Sequence, residues 1–130
     1  MSRKLIESIK TRGLAGAAND TKWNELIDFI RSRDGWVPSY RCKFVLNGYI
    51  SRWDTEWSYH LPFPFKSVEW FDIGLHQLIR HGPLLPVSVI DHSEWLLPKI
   101  HSIGFDHVVA GDVVRLFGYL PRDMGDLPAS

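Results

Sequence analysis

The stretch Trp53-Asp54-Thr55-Glu56-Trp57-Ser58-Tyr59-His60-Leu61-Pro62-Phe63-Pro64-Phe65-Lys66-Ser67-Val68-Glu69-Trp70-Phe71-Asp72-Ile73 holds three of the chain's six tryptophans and three of its seven phenylalanines. It also holds four carboxylates. It divides into three parts. Trp53 to His60 reads as the exit of a hairpin. Leu61 to Phe65 contains Pro62 and Pro64, which cannot donate to a strand ladder, so it reads as an edge or a crossing loop. Ser67 to Ile73 reads as a strand. Val68, Trp70 and Asp72 point to one side of it, and Glu69, Phe71 and Ile73 to the other. Apolar residues on both sides predict an interior strand covered on both faces.

Immediately before this stretch, residues 39–53 are rich in strand formers around Asn47-Gly48. That dipeptide favours a two-residue type I′ turn, whose central positions both need φ > 0. Such a turn pairs Leu46 with Tyr49, Val45 with Ile50, Phe44 with Ser51 and Lys43 with Arg52. It places Tyr40, Cys42, Phe44, Leu46 and Trp53 on one face. The like charges of Lys43 and Arg52 would call for a nearby acid, Asp54 or Glu56.

Towards the N-terminus, residues 2–12 predict a short amphipathic helix with Leu5, Ile6 and Ile9 as its stripe and Gly13 as its stop. A second helix is capped by Asp20 or Thr21. It presents Trp23, Leu26, Ile27 and Ile30 on one face and ends near Ser32. Towards the C-terminus, Gly74 to Arg80 predicts a short helix carrying Leu75, Leu78 and Ile79, stopped by His81-Gly82-Pro83. Pro86 to Ile90 reads as a short extended piece. Asp91-His92-Ser93-Glu94 has the form of a capping box, opening a helix that Pro98 should kink or shorten. Phe105 to Val109 and Val113 to Tyr119 form a closing hairpin turned at Ala110-Gly111-Asp112, and Arg122 to Ser130 reads as a frayed polar end. The expected fold is α+β: a mainly antiparallel sheet of about five strands with three to four helices packed on it, in a single domain over residues 1–130.

Composition narrows the function. The 130 residues are 45% hydrophobic and 23% charged, the range of a folded globular chain. Fifteen basic and fifteen acidic residues cancel, against the basic excess of a nucleic-acid-binding surface. One cysteine, Cys42, cannot form an internal disulfide, and no signal-peptide pattern or membrane-length apolar run is present. These features predict a cytoplasmic protein with no membrane association.

Two clusters could carry chemistry. Asp54, Glu56, His60, Glu69, Asp72 and His76 supply carboxylates and imidazoles, the groups of a divalent-metal or acid–base site. Their spacing matches no known metal motif, and they could equally neutralise Arg41, Lys43, Arg52 and Lys66 across neighbouring strands. Trp53, Trp57, Tyr59, Phe63 and Phe65 could form either a thick aromatic core or a binding groove. Cys42, mid-strand, reads as buried and inert. The histidines His81, His92, His101 and His107 read as surface or cap residues. Neither a serine-nucleophile elbow nor a glycine-rich phosphate loop occurs.

The residues Asn19-Asp20-Thr21-Lys22-Trp23-Asn24-Glu25-Leu26, the run Trp53-Asp54-x-Glu56-Trp57-x-x-His60-Leu61-Pro62-Phe63-Pro64, Val68-Glu69-Trp70, and Asp112-x-Val114-Arg115-Leu116-Phe117-Gly118-Tyr119 are similar to a family of small Trp-rich bacterial proteins, a domain of unknown function. The resemblance spans most of the chain and implies no catalytic residues. Small bacterial domains of this size are often immunity proteins or inhibitors paired with toxins.

The leading expectation is therefore a non-enzymatic protein-binding domain, of the toxin-immunity kind. It would contact its partner through Trp53, Asp54, Glu56, Trp57, Tyr59, His60, Phe63 and Phe65, with no cofactor, metal ligand or catalytic residue assigned. The alternative is a small metal-dependent or acid–base hydrolase using Asp54, Glu56, His60 and Asp72. A homo-oligomer formed through an exposed strand edge is a third expectation.

Overall fold

The computed structural model describes residues 2–129. Helix α1 (Arg3–Thr11) is followed by strand β1 (Ala15–Gly16), helix α2 (Asp20–Ser32) and strand β2 (Tyr40–Phe44). A 3₁₀ turn at Phe65–Ser67 leads into β3 (Val68–Gly74), then β4 (His76–Ile79) and β5 (Ser88–Asp91). Helix α3 (Ser93–Ile103), β6 (His107–Ala110), β7 (Val113–Phe117) and β8 (Tyr119–Leu120) complete the order. The main sheet runs β2-β3-β7-β6 and is antiparallel throughout, while β1-β8 and β4-β5 form separate pairs. The architecture is α+β.

The central strand is the one expected, except that a register shift at Lys43/Phe44 turns Val68 to the Phe71 side, away from Trp70. From Val68 to Ile73 β3 is wholly buried, between β2 and β7. Its Phe71 and Ile73 join Tyr40, Cys42, Val114 and Leu116 beneath α2 and α3. The α2 face arrives as its periodicity dictates: Trp23, Leu26, Ile27 and Ile30 are all buried. Trp23 is the aromatic hub, stacked on Phe65 at 4.7 Å and tilted against Phe105 at 4.9 Å. The cap is Asn19, one residue before the expected pair, with its side chain accepting from Lys22 N. Gly118 lets β7 cross close to β3: a Cβ there would collide with the Val68 carbonyl.

Several expectations are corrected. Gly74 to Arg80 is not a helix, because His76–Ile79 pairs with Ser88–Asp91 as a hairpin. Leu75 is buried but Leu78 is exposed, so the helical spacing of these leucines is accidental. The turn at Asn47-Gly48 is not type I′. Gly48 has φ +68 but Asn47 is not in the positive region, and Gly48 N donates to Phe44 O across a wider loop. The ladder shifts with it, bringing Lys43 opposite Ile50 and Tyr40 opposite Asp54. The slip is two residues at Lys43, which keeps the facing there, and one residue at Tyr40, where it reverses the facing of the returning segment. Trp53 therefore lies on the Arg41 side of the sheet and not with Tyr40 and Cys42, and the indole sits 5.1 Å from the Arg41 guanidinium.

At α3 the cap is His92 and not Asp91. Asp91 Oδ1 accepts from both N and Oγ of Ser93, holding the turn just before the helix. The helix continues through Pro98 to Ile103. The segment 122–129 is held against the sheet and not frayed, and Ser130 lies outside the described residues. Arg115 Nη1 donates to the carbonyls of Asp123 and Gly125, Arg41 Nη2 donates to Asp126 O, and Asp123 accepts from Lys43 Nζ and Trp70 Nε1. Residues 121–129 thus run over the sheet face that the helices leave open. Among the described residues no helix is long and apolar enough to cross a membrane.

Candidate functional site

The loop from Trp53 to Phe65 is held by its own carboxylates. Asp54 Oδ1 accepts from Glu56 N at 2.9 Å, and Asp54 Oδ2 meets His60 Nδ1 at 2.8 Å. Glu56 Oε1 accepts from Ser58 N at 2.5 Å and His60 N at 3.1 Å. These contacts favour the ionised acids. The Glu56 amide, then His60, holds the Asp54 carboxyl below its usual range. The amides of Ser58, Tyr59 and His60 do the same for Glu56.

From the core side, Tyr40 OH donates to Glu56 O, Arg31 Nε donates to Trp57 O at 2.7 Å, and Trp57 Nε1 donates to Pro38 O at 2.9 Å. Burial raises the Tyr40 phenol well above its ordinary value, with Asp54 and Glu56 adding to the effect. The hydroxyl therefore stays protonated as a donor.

The expected binding residues separate into two groups. Trp57 is 6% exposed and Phe65 is buried, both in the core beneath α2. Trp53, Tyr59 and Phe63 are exposed, with Tyr59 at 93%. Trp53 borders a groove of about 480 Å³ with Arg41, His76, Asp126 and Pro128. Phe63 lies on the α2 side, edge-on to Phe65 at 5.2 Å. The aromatic-core and binding-groove readings thus each describe part of this set.

The acidic set also separates. Tyr40 is paired with Asp54, and its neighbour Arg41 is paired with Asp72. Adjacent residues of a strand face opposite ways, so Asp72 lies across the sheet from Asp54, Glu56 and His60. Asp72 is fully buried, accepting from Arg115 at 2.7 and 2.9 Å and from Arg41 at 3.1 Å. Glu69 is taken by Arg12, whose two terminal nitrogens reach its two oxygens at 2.9 Å each. His76 stands 3.9 Å from Asp91 on the β4–β5 hairpin. Among the described residues no group of three or more His, Cys, Asp or Glu is placed to hold a metal ion.

Residues 5–123 match the model of a family of unknown function, DUF6678. The chain belongs to this family. Comparison with curated proteins and with solved structures gave no match.

Two features escaped the sequence reading. One is His92, which stacks on Trp36 at 4.0 Å, accepts from Trp95 Nε1 at 2.8 Å and meets Gln77 Oε1 at 2.9 Å. His92 and Trp95 are three apart at the start of α3, but Trp36 and Gln77 come from separate parts of the sequence, so only folding brings them there. The other is the apolar surface of the β4–β5 hairpin, where Leu78, Leu84, Leu85 and Val89 are exposed. A run of apolar residues interrupted by Pro83 and Pro86 could have signalled it, since prolines keep such a run out of a central strand.

Proposed function

We propose that this chain is a protein-binding domain with no catalysis of its own, and that the loop from Trp53 to Phe65 is its contact surface. The observation that supports this reading is Tyr59, 93% exposed on a loop whose acids bond back to its own amides and whose Trp57 is anchored in the core. A large amphipathic ring on a preorganised loop binds with little ordering cost, which favours tyrosine at interfaces. Asp54 and Glu56 are structural braces in this reading.

The specific partner we propose is a cognate toxin, with this chain as its inhibitor. Affinity capture from native cells should yield one stoichiometric protein with the wild type and with Tyr49→Ala, an exposed control. Tyr59→Ala should lose it. Equal capture by Tyr59→Ala would refute the surface assignment. Failure of the chain to protect cells from the product of a neighbouring gene would refute the toxin.

A second reading rests on the 2.8 Å contact of Asp54 with His60. A carboxylate on Nδ1 orients an imidazole whose other nitrogen can move a proton, as in an acid–base hydrolase. Here the site would be Asp54, Glu56 and His60, without Asp72. Hydrolysis of an ester panel that disappears in His60→Ala but survives in Tyr59→Ala would favour it over binding.

A further inference from the structure

We propose that the β4–β5 hairpin is a self-association edge, which pairs β5 with β5 of a second copy of this chain about a two-fold axis. The first observation is the exposure of the ribbon. All four residues of β5 are exposed, and Leu78 and Val89 are 62% and 55% exposed on one face. A two-stranded ribbon is marginal by itself, and an unpaired apolar edge is a template for another strand. Natural edges are usually blunted by lysine, proline or a bulge. Ser88-Val89-Ile90-Asp91 carries no lysine and no proline, and its register with β4 is regular.

The second observation is which backbone groups are free. His92 N donates to Leu75 O at 2.8 Å, and the pair 75–92 continues the β4–β5 register. Hydrogen-bonded pairs alternate in an antiparallel ladder. The bonded pairs are therefore Gln77–Ile90 and Ile79–Ser88. The N–H and C=O groups of Val87, Val89 and Asp91 point away from β4.

A two-fold axis perpendicular to the ribbon then selects one register, with Val89 opposite Val89 of the second copy. Val87 faces Asp91 on either side of it. Every outward group finds a partner, and Leu78 and Val89 of both copies form one apolar row across four strands. Such self-complementarity is what an isologous interface needs. The formal charge of zero offers no net repulsion between copies. Edge pairing of one short strand leaves Leu84 and Leu85 of the turn outside the contact and buries less than the usual ~800 Å² per partner, so the dimer should dissociate on dilution.

The inference does not depend on the proposed function, because Tyr59 lies outside the hairpin. The test is sedimentation of the whole chain over a wide concentration series. The expected result is a mass rising towards twice 15.0 kDa, unchanged by Tyr59→Ala. Val89→Pro removes one outward donor and should keep the chain monomeric with an unchanged near-UV spectrum. Val89→Cys should cross-link to a dimer under mild oxidation much faster than Ser88→Cys, since only position 89 meets itself at the axis and Cys42 is buried. A monomer at every concentration would overturn the proposal. So would a dimer that survives Val89→Pro, or equal cross-linking at 88 and 89.

Discussion

Asp72 and Arg115 face each other across the two central strands, both fully buried, with Nε to Oδ1 at 2.7 Å and Nη2 to Oδ2 at 2.9 Å. Arg41 adds a second cation to Asp72 at 3.1 Å, and Arg115 lies over the Trp70 ring at 3.5 Å. Arg115 Nη1 donates to the carbonyls of Asp123 and Gly125. A buried pair contributes little net stability, but the loss of one partner leaves an uncompensated charge in the interior.

Asp72→Ala should therefore destabilise the fold by about 3–5 kcal/mol. Arg115→Met should cost less, because Asp72 keeps Arg41. Urea unfolding of the two variants gives the order directly. The account fails if Arg115→Met is the more damaging.

The loop makes a second distinction. Trp57→Ala removes a buried ring and its bond to Pro38, and should cost about 3–5 kcal/mol. Tyr59→Ala removes an exposed ring and should change stability by less than about 0.5 kcal/mol. Equilibrium unfolding separates them, and partner capture should respond to Tyr59 alone in a folded protein.

His92 makes stability depend on pH near neutrality. Burial lowers its pKa, the Arg33 cation lowers it further, and Asp91 opposes both. Its Nδ1 accepts from Trp95, so the neutral form is the one the fold holds. A histidine whose folded pKa is depressed gives full stability above its unfolded value of ~6.5 and loses it as pH falls through the folded one. The midpoint of urea unfolding should fall as the pH is taken from about 7.5 to below 6.5, and His92→Gln should flatten that slope. A slope retained in His92→Gln would assign it to another group.

Asp123 controls the acid limb. Burial opposes its charge, but Lys43, the Gly125 amide and the Trp70 indole outweigh burial and bring the carboxyl to about 2. The tail's contribution is present above the ordinary carboxylate value of ~3.9 and is lost as pH falls towards the folded one. Proteolysis within residues 121–129 should therefore accelerate between pH ~4 and ~2, and Asp123→Asn should be susceptible already at neutral pH.

Much of the fold was legible because it depends on local pattern. Trp23, Leu26, Ile27 and Ile30 recur at the helical period, and the same residues are buried. Ser67 to Ile73 is apolar on both faces, and β3 is the strand buried on both. Gly111 marked the closing turn, where Ala110 pairs with Val113. Leu75, Leu78 and Ile79 misled because three apolar residues at helical spacing also fit a strand, and the pairing with Ser88–Asp91 decided between them. The candidate site was legible as a set of residue types. Its contacts were not, since one shift of register sends Trp53 to the other face and Asp72 away from Asp54.

The sequence alone determined the elements whose signal repeats within a few residues: α2, β3, the closing hairpin and the α+β class, together with the density of acids and aromatics between Trp53 and Ile73. Tertiary structure decided what each of those residues does. Trp57 is core and Tyr59 is surface, Asp54 and Glu56 brace a loop, and Asp72 neutralises the buried Arg115 and the half-buried Arg41. The reason is that periodicity encodes only which way a side chain points along its own element. Whether it meets solvent, an amide or a guanidinium depends on strand register and on segments such as 121–129, held in part by backbone carbonyls that every residue type carries.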